Sequence, residues 1–322
     1  MASTVRVGIL GAAGIAPRSI IGPARRTDDA EVAAVASRSQ SRADEYAAAH
    51  GIPLSYGDYR RLLENESIDL VYVALPPSEH AQWVIAALEA GKDVLCEKPF
   101  AMNEGEVADV LAISERTGCR AIEAFHDEYH PLWSRTREIA AMLGRVRRVE
   151  GEFCVNNPFT PGAIRHEPSL GGGALMDLGC YPLHWVRSLM GEEPHVVSAA
   201  HVAGPAGADE SITAELDFPS GATGRVDASM GNDSFDDFRR IDGERGSLMV
   251  QNVVFPTNGH RVVWTLDGVE YQETVGGRQT YDHQLECVVR ALRTHEMLPT
   301  EGSDILGNMR AIDAIYRTAK VR

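Results

Sequence analysis

Through the first 125 positions the apolar residues fall in short, almost unbroken runs separated by helix-length amphipathic stretches. Residues 5–10 read Val-Arg-Val-Gly-Ile-Leu, a β-rich run that enters a turn of small residues, Gly11-Ala12-Ala13-Gly14, and then a helix. The pattern next predicts a strand at 32–36, a helix around 42–50, a short helix at 60–65 and a nearly all-apolar strand at 69–74. A helix follows at 78–90, with Ser78 as its N-cap and Gly91 just past its end. A strand at 94–96, a helix from about 103 to 117 and a strand at 121–125 complete this half. Strands that are apolar throughout, instead of alternating, belong to a parallel sheet covered on both faces. Right-handed crossovers between them make it a doubly wound α/β sheet.

After Phe125 the period changes. A helix at 132–143 precedes a long strand at 146–155, a loop rich in Pro and Gly, and a helix near 174–190. From 196 to 275 the chain reads as strands and turns, with runs at 214–218, 224–230, 238–242, 247–251, 262–266 and 269–275. This predicts an antiparallel sheet with one exposed face, an α+β arrangement. Helices at about 281–294 and 304–317 close the chain. Two domains are therefore expected, 1–124 and 125–322, in keeping with the length of 322 residues.

Composition narrows the partners. With 44% hydrophobic and 24% charged residues, the chain can bury an ordinary globular core. Its 31 basic and 46 acidic residues give a net charge of −15, which argues against nucleic acid as the main partner. An anionic cofactor needs only a local positive pocket, so it is not excluded. Five cysteines, none in a Cys-x-x-Cys pair, suggest neither a disulfide framework nor a zinc cluster. His126 and His130 are four apart, but no third ligand accompanies them and Pro131 interrupts the pattern, so no metal is expected. No leader pattern and no run of bilayer length stands out, and the expected location is the cytoplasm, without a membrane partner.

The first turn carries a nucleotide signal. Aligned to Gly-x-Gly-x-x-Gly/Ala, the key positions of Gly11-Ala12-Ala13-Gly14-Ile15-Ala16 are Gly11, Ala13 and Ala16. Gly11 suits the tight turn, Ala13 lets the backbone approach a pyrophosphate, and Ala16 permits close helix–strand packing. The middle glycine is missing, but the turn follows the first strand and opens a helix, as the mechanism requires. At the end of the second strand an NAD site usually carries a carboxylate. Here the chain reads Ser37-Arg38-Ser39-Gln40-Ser41-Arg42, with no carboxylate until Asp44. A hydroxyl and guanidinium groups suit a ribose 2′-phosphate, so NADP(H) is preferred. If Arg38 only stacks on adenine, NAD(H) also binds.

Three stretches together resemble the glucose–fructose oxidoreductase / inositol dehydrogenase (Gfo/Idh/MocA) family. They are Val7-Gly8-Ile9-Leu10-Gly11 with its turn, Glu97-Lys98-Pro99, and Gly171-Gly172-Gly173-Ala174-Leu175-Met176-Asp177-Leu178-Gly179-Cys180-Tyr181. The resemblance implies a Rossmann domain plus a C-terminal domain with a large open, mostly antiparallel sheet that builds a homodimer or homotetramer. It implies that Glu97 and Lys98 contact the cofactor, with Lys98 also reaching substrate, and that the 98–99 peptide is often cis; the sequence itself allows either isomer. It also implies that Leu75, Pro76, Pro77 and His80 lie where the loop touches the cofactor, although His80 could be only a first-turn helix residue. Relatives often hold an Arg where Arg165 falls, and Asp177 could bind substrate hydroxyls or serve only the helix start. Tyr181 stands where many relatives have His, and His184 where a later Asp would fall. That departure resembles the branch of dihydrodiol dehydrogenase and sugar ketoreductases, in which the Tyr exchanges the proton. Many relatives have Arg where Glu128 stands, so ligand contacts are not carried over there.

The chemistry of Lys98 and Tyr181 stands beside that likeness. Hydride addition to a carbonyl builds charge on oxygen, which must be protonated. A free phenol titrates near 10. A nearby ammonium favours its ionised form and also stabilises the alkoxide. The expected function is NADP(H)-dependent interconversion of a carbonyl and a secondary alcohol, or hemiacetal, on a sugar or sugar-like cyclic polyol. The alternatives are a trans-dihydrodiol dehydrogenase acting on an apolar cyclic diol, and a non-catalytic NADP(H)-binding sensor.

Overall fold

The computed structural model describes residues 3–321. The chain packs as two compact units, one formed by the residues up to Phe125 together with Tyr281–Leu306, the other by His126–Thr280 and the residues from Gly307 onward.

In the first unit β1 (Val5–Leu10), β2 (Ala30–Ala36), β3 (Leu54–Tyr56), β4 (Leu70–Val73), β5 (Asp93–Cys96) and β6 (Ala121–Glu123) form one sheet in the order β3-β2-β1-β4-β5-β6. Every pairing is parallel. Val7, Ile9, Val35, Val71 and Leu95 have no exposed surface, as unbroken apolar strands between two helical layers require. The crossovers are a π-helical turn (Pro17–Ile21) running into α1 (Gly22–Ala24), then α2 (Gln40–His50), α3 (Tyr59–Leu63), α4 (Pro77–Glu89) and α5 (Glu104–Thr117). The strand order reverses between β1 and β4, which creates the crevice where ligands of such sheets bind.

The return of residues 281–306 to this unit is not in the expected 1–124 and 125–322 division. Leu285, Val288, Val289 and Ala291 bury an apolar face of its helix, and ion pairs secure it further. Arg26 grips the Asp282 carboxylate and Arg293 pairs with Asp29 at 2.7 Å. Arg120 reaches Glu301 at 3.0 and 2.6 Å and the Ala291 carbonyl at 2.7 Å. Arginines at scattered positions leave no pattern in the sequence.

The second unit is built on an eight-stranded sheet. Its strands are β7 (Val146–Asn156), β8 (His195–Ala203), β9 (Asp209–Asp217), β10 (Thr223–Ser229), β11 (Gly231–Gly243), β12 (Gly246–Gln251), β13 (Arg261–Leu266) and β14 (Val269–Glu273). The order is β14-β13-β12-β11-β7-β10-β9-β8. All neighbours are antiparallel except β7 and β10, which run parallel. The helices of this unit include α6 (Pro131–Met142) and α7 (Cys180–Met190); α8 (Thr280–Thr294) belongs almost wholly to the first unit, while α9 (Ser303–Ala319) lies mostly in the second. In β7, Gly151 makes room for α7, because a Cβ there would come within 2.7 Å of Pro182.

The other face of the sheet is a ladder of ion pairs. Arg148 pairs with Glu150 at 2.5 Å and Glu215 at 3.5 Å. Arg225 pairs with Glu215 at 3.2 Å and Asp227 at 2.5 Å, and Arg240 with Asp242 at 3.1 Å.

Some expected elements shift. The helix read at 78–90 starts one residue earlier, because Pro76 occupies the cap and Pro77 the first helical turn, where a missing N–H costs nothing. The helix read at 174–190 divides into a π-helical turn, Leu175–Gly179, and α7. Among the described residues, no helix is long and apolar enough to cross a membrane.

Candidate active site

The nucleotide-binding turn is shaped by what its residues lack. Gly11 has φ +106°, and a Cβ there would overlap the Ala74 carbonyl oxygen. A Cβ on Gly14 would meet nothing within 4 Å, so the turn is open on that side. The turn is anchored from behind by α2. Tyr46 donates its hydroxyl to the Ala13 carbonyl at 2.8 Å, and Arg42 donates to the Ala12 carbonyl at 3.3 Å. Peptide planarity then turns the following N–H groups to the opposite side, where an anion would be met. Ile15 continues the anchoring, its carbonyl accepting from the Arg18 amide at 3.0 Å and the Ser19 hydroxyl at 3.1 Å.

At the end of β2, Ser37 is buried, while Arg38 and Arg42 are exposed. Ser39 caps α2 and accepts from the Arg42 amide. Burial raises the pKa of the Tyr59 phenol, and the charges of Arg38 and Arg42 both oppose that rise. Two guanidinium groups thus act on one spot, with the Glu79 carboxylate acting against them. This set fits a phosphate-bearing dinucleotide.

At the carboxyl ends of β4 and β5 stand Leu75-Pro76-Pro77 and Glu97-Lys98-Pro99, with a cis peptide before Pro99. His80 ties the two loops together. Its Nε2 lies 2.8 Å from the Leu75 carbonyl oxygen and its Nδ1 2.9 Å from that of Pro99. The ring is fully buried, which lowers its pKa against the pull of those carbonyls. His80, expected to contact the cofactor, faces backbone with both ring nitrogens and so joins the two loops.

Glu97 accepts a hydrogen bond from the Tyr72 hydroxyl, and that hydroxyl lies 2.6 Å from Ser19 Oγ in the π-helical turn. Burial raises the Glu97 pKa, while Tyr72 and the Lys98 charge oppose the rise. Tyr281 joins this cluster. Arg18 sits over its ring at 5.4 Å, and its pKa is pushed up to about 12 by burial first and Glu97 second, against the charges of Arg18 and Lys98. Tyr72, Ser19, Arg18 and Tyr281 were missed in the sequence, since each lies outside a motif and meets Glu97 only through the fold.

The second unit holds the proton-exchanging candidate. Tyr181 begins α7, directly after the π-helical turn that carries Asp177. Its hydroxyl lies 3.1 Å from Nε2 of His126, whose Nδ1 lies 2.7 Å from the Thr280 hydroxyl. All three residues are at most 5% exposed. Phe255 stacks on His126, and Phe153 meets Tyr181 edge to face, itself meeting Phe235. His126 was legible only as half of a possible metal pair with His130. In the structure its ring serves Tyr181 and Thr280, and His130 caps α6 by accepting from the Leu132 amide at 3.1 Å.

Arg165 and Asp177 are brought together, with Nε to Oδ2 at 3.7 Å, and both keep exposed surface. His184, expected to bind substrate, is 1% exposed and lies near the buried carboxylates Asp127 and Glu128, whose pKa values it acts on. The glycine run is steric. A side chain on Gly172 would press on the 164–167 backbone, and one on Gly173, at φ +129°, would overlap the buried Asp209 carboxylate. That carboxylate accepts from the Leu175 amide at 2.8 Å and the Tyr316 hydroxyl at 2.9 Å, which fixes the start of the π-helical turn.

The chain is similar to known proteins along nearly its whole length. Residues 5–125 match the model of an oxidoreductase family with an NAD-binding Rossmann fold, GFO/IDH/MocA, and residues 137–249 match a GFO/IDH/MocA C-terminal domain. The chain is 37% identical over 316 residues to D-xylose 1-dehydrogenase (NADP(+)) 2 of Haloferax volcanii, covering 97% of each. It is 29% identical over 293 residues to trans-1,2-dihydrobenzene-1,2-diol dehydrogenase of Xenopus laevis, covering 87% and 88%. Among solved structures, a 3-ketoreductase from Actinomadura kijaniata in complex with NADP and TDP-benzene superposes with a TM-score of 0.91 at 26% identity, covering 98% of each chain.

Proposed function

The chain belongs to the Gfo/Idh/MocA family of NAD(P)-dependent oxidoreductases acting on CH–OH groups, and from that premise we propose that it interconverts a carbonyl and a secondary alcohol, or hemiacetal, on a sugar or sugar-like cyclic polyol using NADP(H). The observation that carries this reading is the Tyr181 phenol, buried at the end of the glycine-rich stretch 171–181 and hydrogen-bonded to His126. The relatives named for D-xylose and for a 3-keto substrate support the substrate class. The turn at Gly11–Ile15 would hold the pyrophosphate, and Ser37, Arg38 and Arg42 the 2′-phosphate. The bound dinucleotide supplies or accepts the hydride.

Tyr181 gives its proton to the oxygen that gains charge in reduction and takes one in oxidation. The Lys98 ammonium favours ionised tyrosine and stabilises an alkoxide. Glu97 is fixed by Tyr72 and offers Lys98 an anionic neighbour. Arg165 and Asp177, a partly exposed pair, would offer a donor and an acceptor to substrate hydroxyl groups. The charge-laced face of the eight-stranded sheet is the surface assigned to a homodimer or homotetramer, which the mass of the particle in solution tests.

A second reading has its own observation. Phe153, Phe235 and Phe255 gather around Tyr181 and His126, and such an aromatic wall favours an apolar cyclic diol. NADPH oxidation with a panel of keto-sugars, set beside NADP+ reduction with an aromatic trans-dihydrodiol, separates the two. Tyr181→Phe lowers kcat by roughly 10²–10⁴-fold with NADPH affinity unchanged. NADPH binding without turnover on any of these substrates makes the protein a sensor and ends the enzymatic reading.

A further inference from the structure

A phenol has one proton. For Tyr181 to deliver it to substrate, that proton must not be spent on a neighbour inside the protein. Yet the buried Tyr181 oxygen lies 3.1 Å from His126 Nε2, a nitrogen that either donates or accepts. If Nε2 accepted, the phenol proton would lie in that bond and point away from substrate. If Nε2 carries hydrogen, the phenol oxygen accepts and its own proton is aimed elsewhere. The choice is set at the other end of the ring, where Nδ1 lies 2.7 Å from the Thr280 hydroxyl. A hydroxyl can donate to a bare Nδ1, so this neighbour permits the catalytically useful tautomer.

Resting on the proposed role of Tyr181, we propose that His126 is a positioning residue of the proton transfer: Thr280 donates to Nδ1, and Nε2–H donates to the Tyr181 oxygen. The arrangement orients the phenol proton outward and stabilises the phenolate left behind. In the reducing direction the C=O π pair moves to oxygen as hydride adds to carbon. The Tyr181 O–H bond breaks and its proton goes to that oxygen. Nε2–H stays on His126 and bonds to the phenolate, and a proton from water restores the phenol. In oxidation the same bond holds the phenolate ready to take the alcohol proton. Phe255, stacked on the imidazole with centroids 5.8 Å apart, fixes the ring plane. Nothing in the motif itself marks His126, which lies 55 residues from its partner.

The donor is tested by what replaces it. His126→Phe keeps an aromatic ring against Phe255 and removes the N–H. It lowers kcat by about 10–100-fold, with substrate KM and NADPH dissociation constant within twofold of wild type. His126→Gln, whose side-chain amide can donate near the Nε2 position, recovers at least tenfold of that loss. Nitrogen-15 NMR of the full chain, with the His126 signal assigned by its absence in His126→Phe, reads the tautomer directly, and hydrogen on Nε2 is expected. Hydrogen on Nδ1 alone, or equal losses in the Phe and Gln variants at matched folded fraction by circular dichroism, overturns the proposal. Full activity in His126→Phe while Tyr181→Phe is inactive overturns this inference and leaves the enzymatic reading intact. Full activity in both variants removes the role of Tyr181 itself.

Discussion

Nδ1 of His80 lies 2.9 Å from the carbonyl oxygen of Pro99, so a buried side chain on α4 holds the turn that carries Lys98. The same ring reaches Leu75, which makes one residue responsible for two loops at the ends of β4 and β5. A neutral imidazole carries one N–H, so His80→Ala removes a hydrogen bond to one of these carbonyls and the packing of the ring between both. The substitution is expected to lower stability by about 2–3 kcal/mol and to raise the NADPH dissociation constant about tenfold. Urea unfolding and cofactor fluorescence measure the two effects. An unchanged NADPH affinity would show that the loops hold their shape without His80.

Arg38 reports on cofactor choice. Its guanidinium is exposed at the end of β2, and no carboxylate stands in that segment before Asp44. Arg38→Ala is expected to weaken NADPH by about 10–100-fold and NADH by less than threefold, the loss of one charge-assisted phosphate contact. Titrating both dinucleotides settles it, and parallel losses would remove the 2′-phosphate assignment.

Gly173 tests the architecture behind Tyr181. Its φ of +129° is closed to most side chains, and a Cβ would run into Asp209, which is 1% exposed. Gly173→Ala should cost about 3 kcal/mol or more, because backbone strain adds to the displacement of a buried carboxylate. Thermal melting checks this. Wild-type stability in that variant would mean that the Asp209 cradle contributes nothing.

Buried carboxylates make stability depend on pH. Glu128, its side chain 3% exposed, has its pKa raised from 4.5 to about 7 by burial, against the charges of His184 and Arg137. Asp127 is raised to about 6 by burial in the same network. A group with a raised folded-state pKa holds its proton more tightly folded than unfolded. Its contribution is complete below the unfolded value and disappears as pH rises through the folded one. Wild-type stability should therefore fall between about pH 4 and pH 7, and level off above that. Glu128→Gln, which keeps an acceptor for Arg137, should flatten that fall by about 2 kcal/mol. Parallel Tm profiles for the two proteins would contradict it.

Much of the architecture was legible because it is periodic. Unbroken apolar runs such as 69–74 announced a doubly covered sheet, and the change after Phe125 announced a second kind of sheet. What was illegible depends on partners far apart in the chain. β3 spans only Leu54–Tyr56, too short to show a period, and the parallel pairing of β10 with β7 has no local mark. Residues 281–306 combine a buried apolar helix face, Leu285, Val288 and Ala291, with arginine–carboxylate pairs such as Arg26–Asp282, and the sequence shows that face but not the unit that receives it. In the candidate site, Gly11, Lys98 and Tyr181 stood in motifs. His126 and Tyr72 are ordinary core residues until the fold sets them beside Tyr181 and Glu97.

On the open face of the eight-stranded sheet, Arg225 bridges Glu215 and Asp227 while Arg148 shares Glu215 with Glu150. Arg148, Arg225 and Arg240 share this face with Glu150, Glu215, Asp227 and Asp242, and Glu152 lies near Asp227 and Asp236, so the plane stays acidic like the chain as a whole. An identical plane could approach this one only because these arginines offset most of that charge, and loss of a single one would leave carboxylates side by side and make the plane more self-repelling.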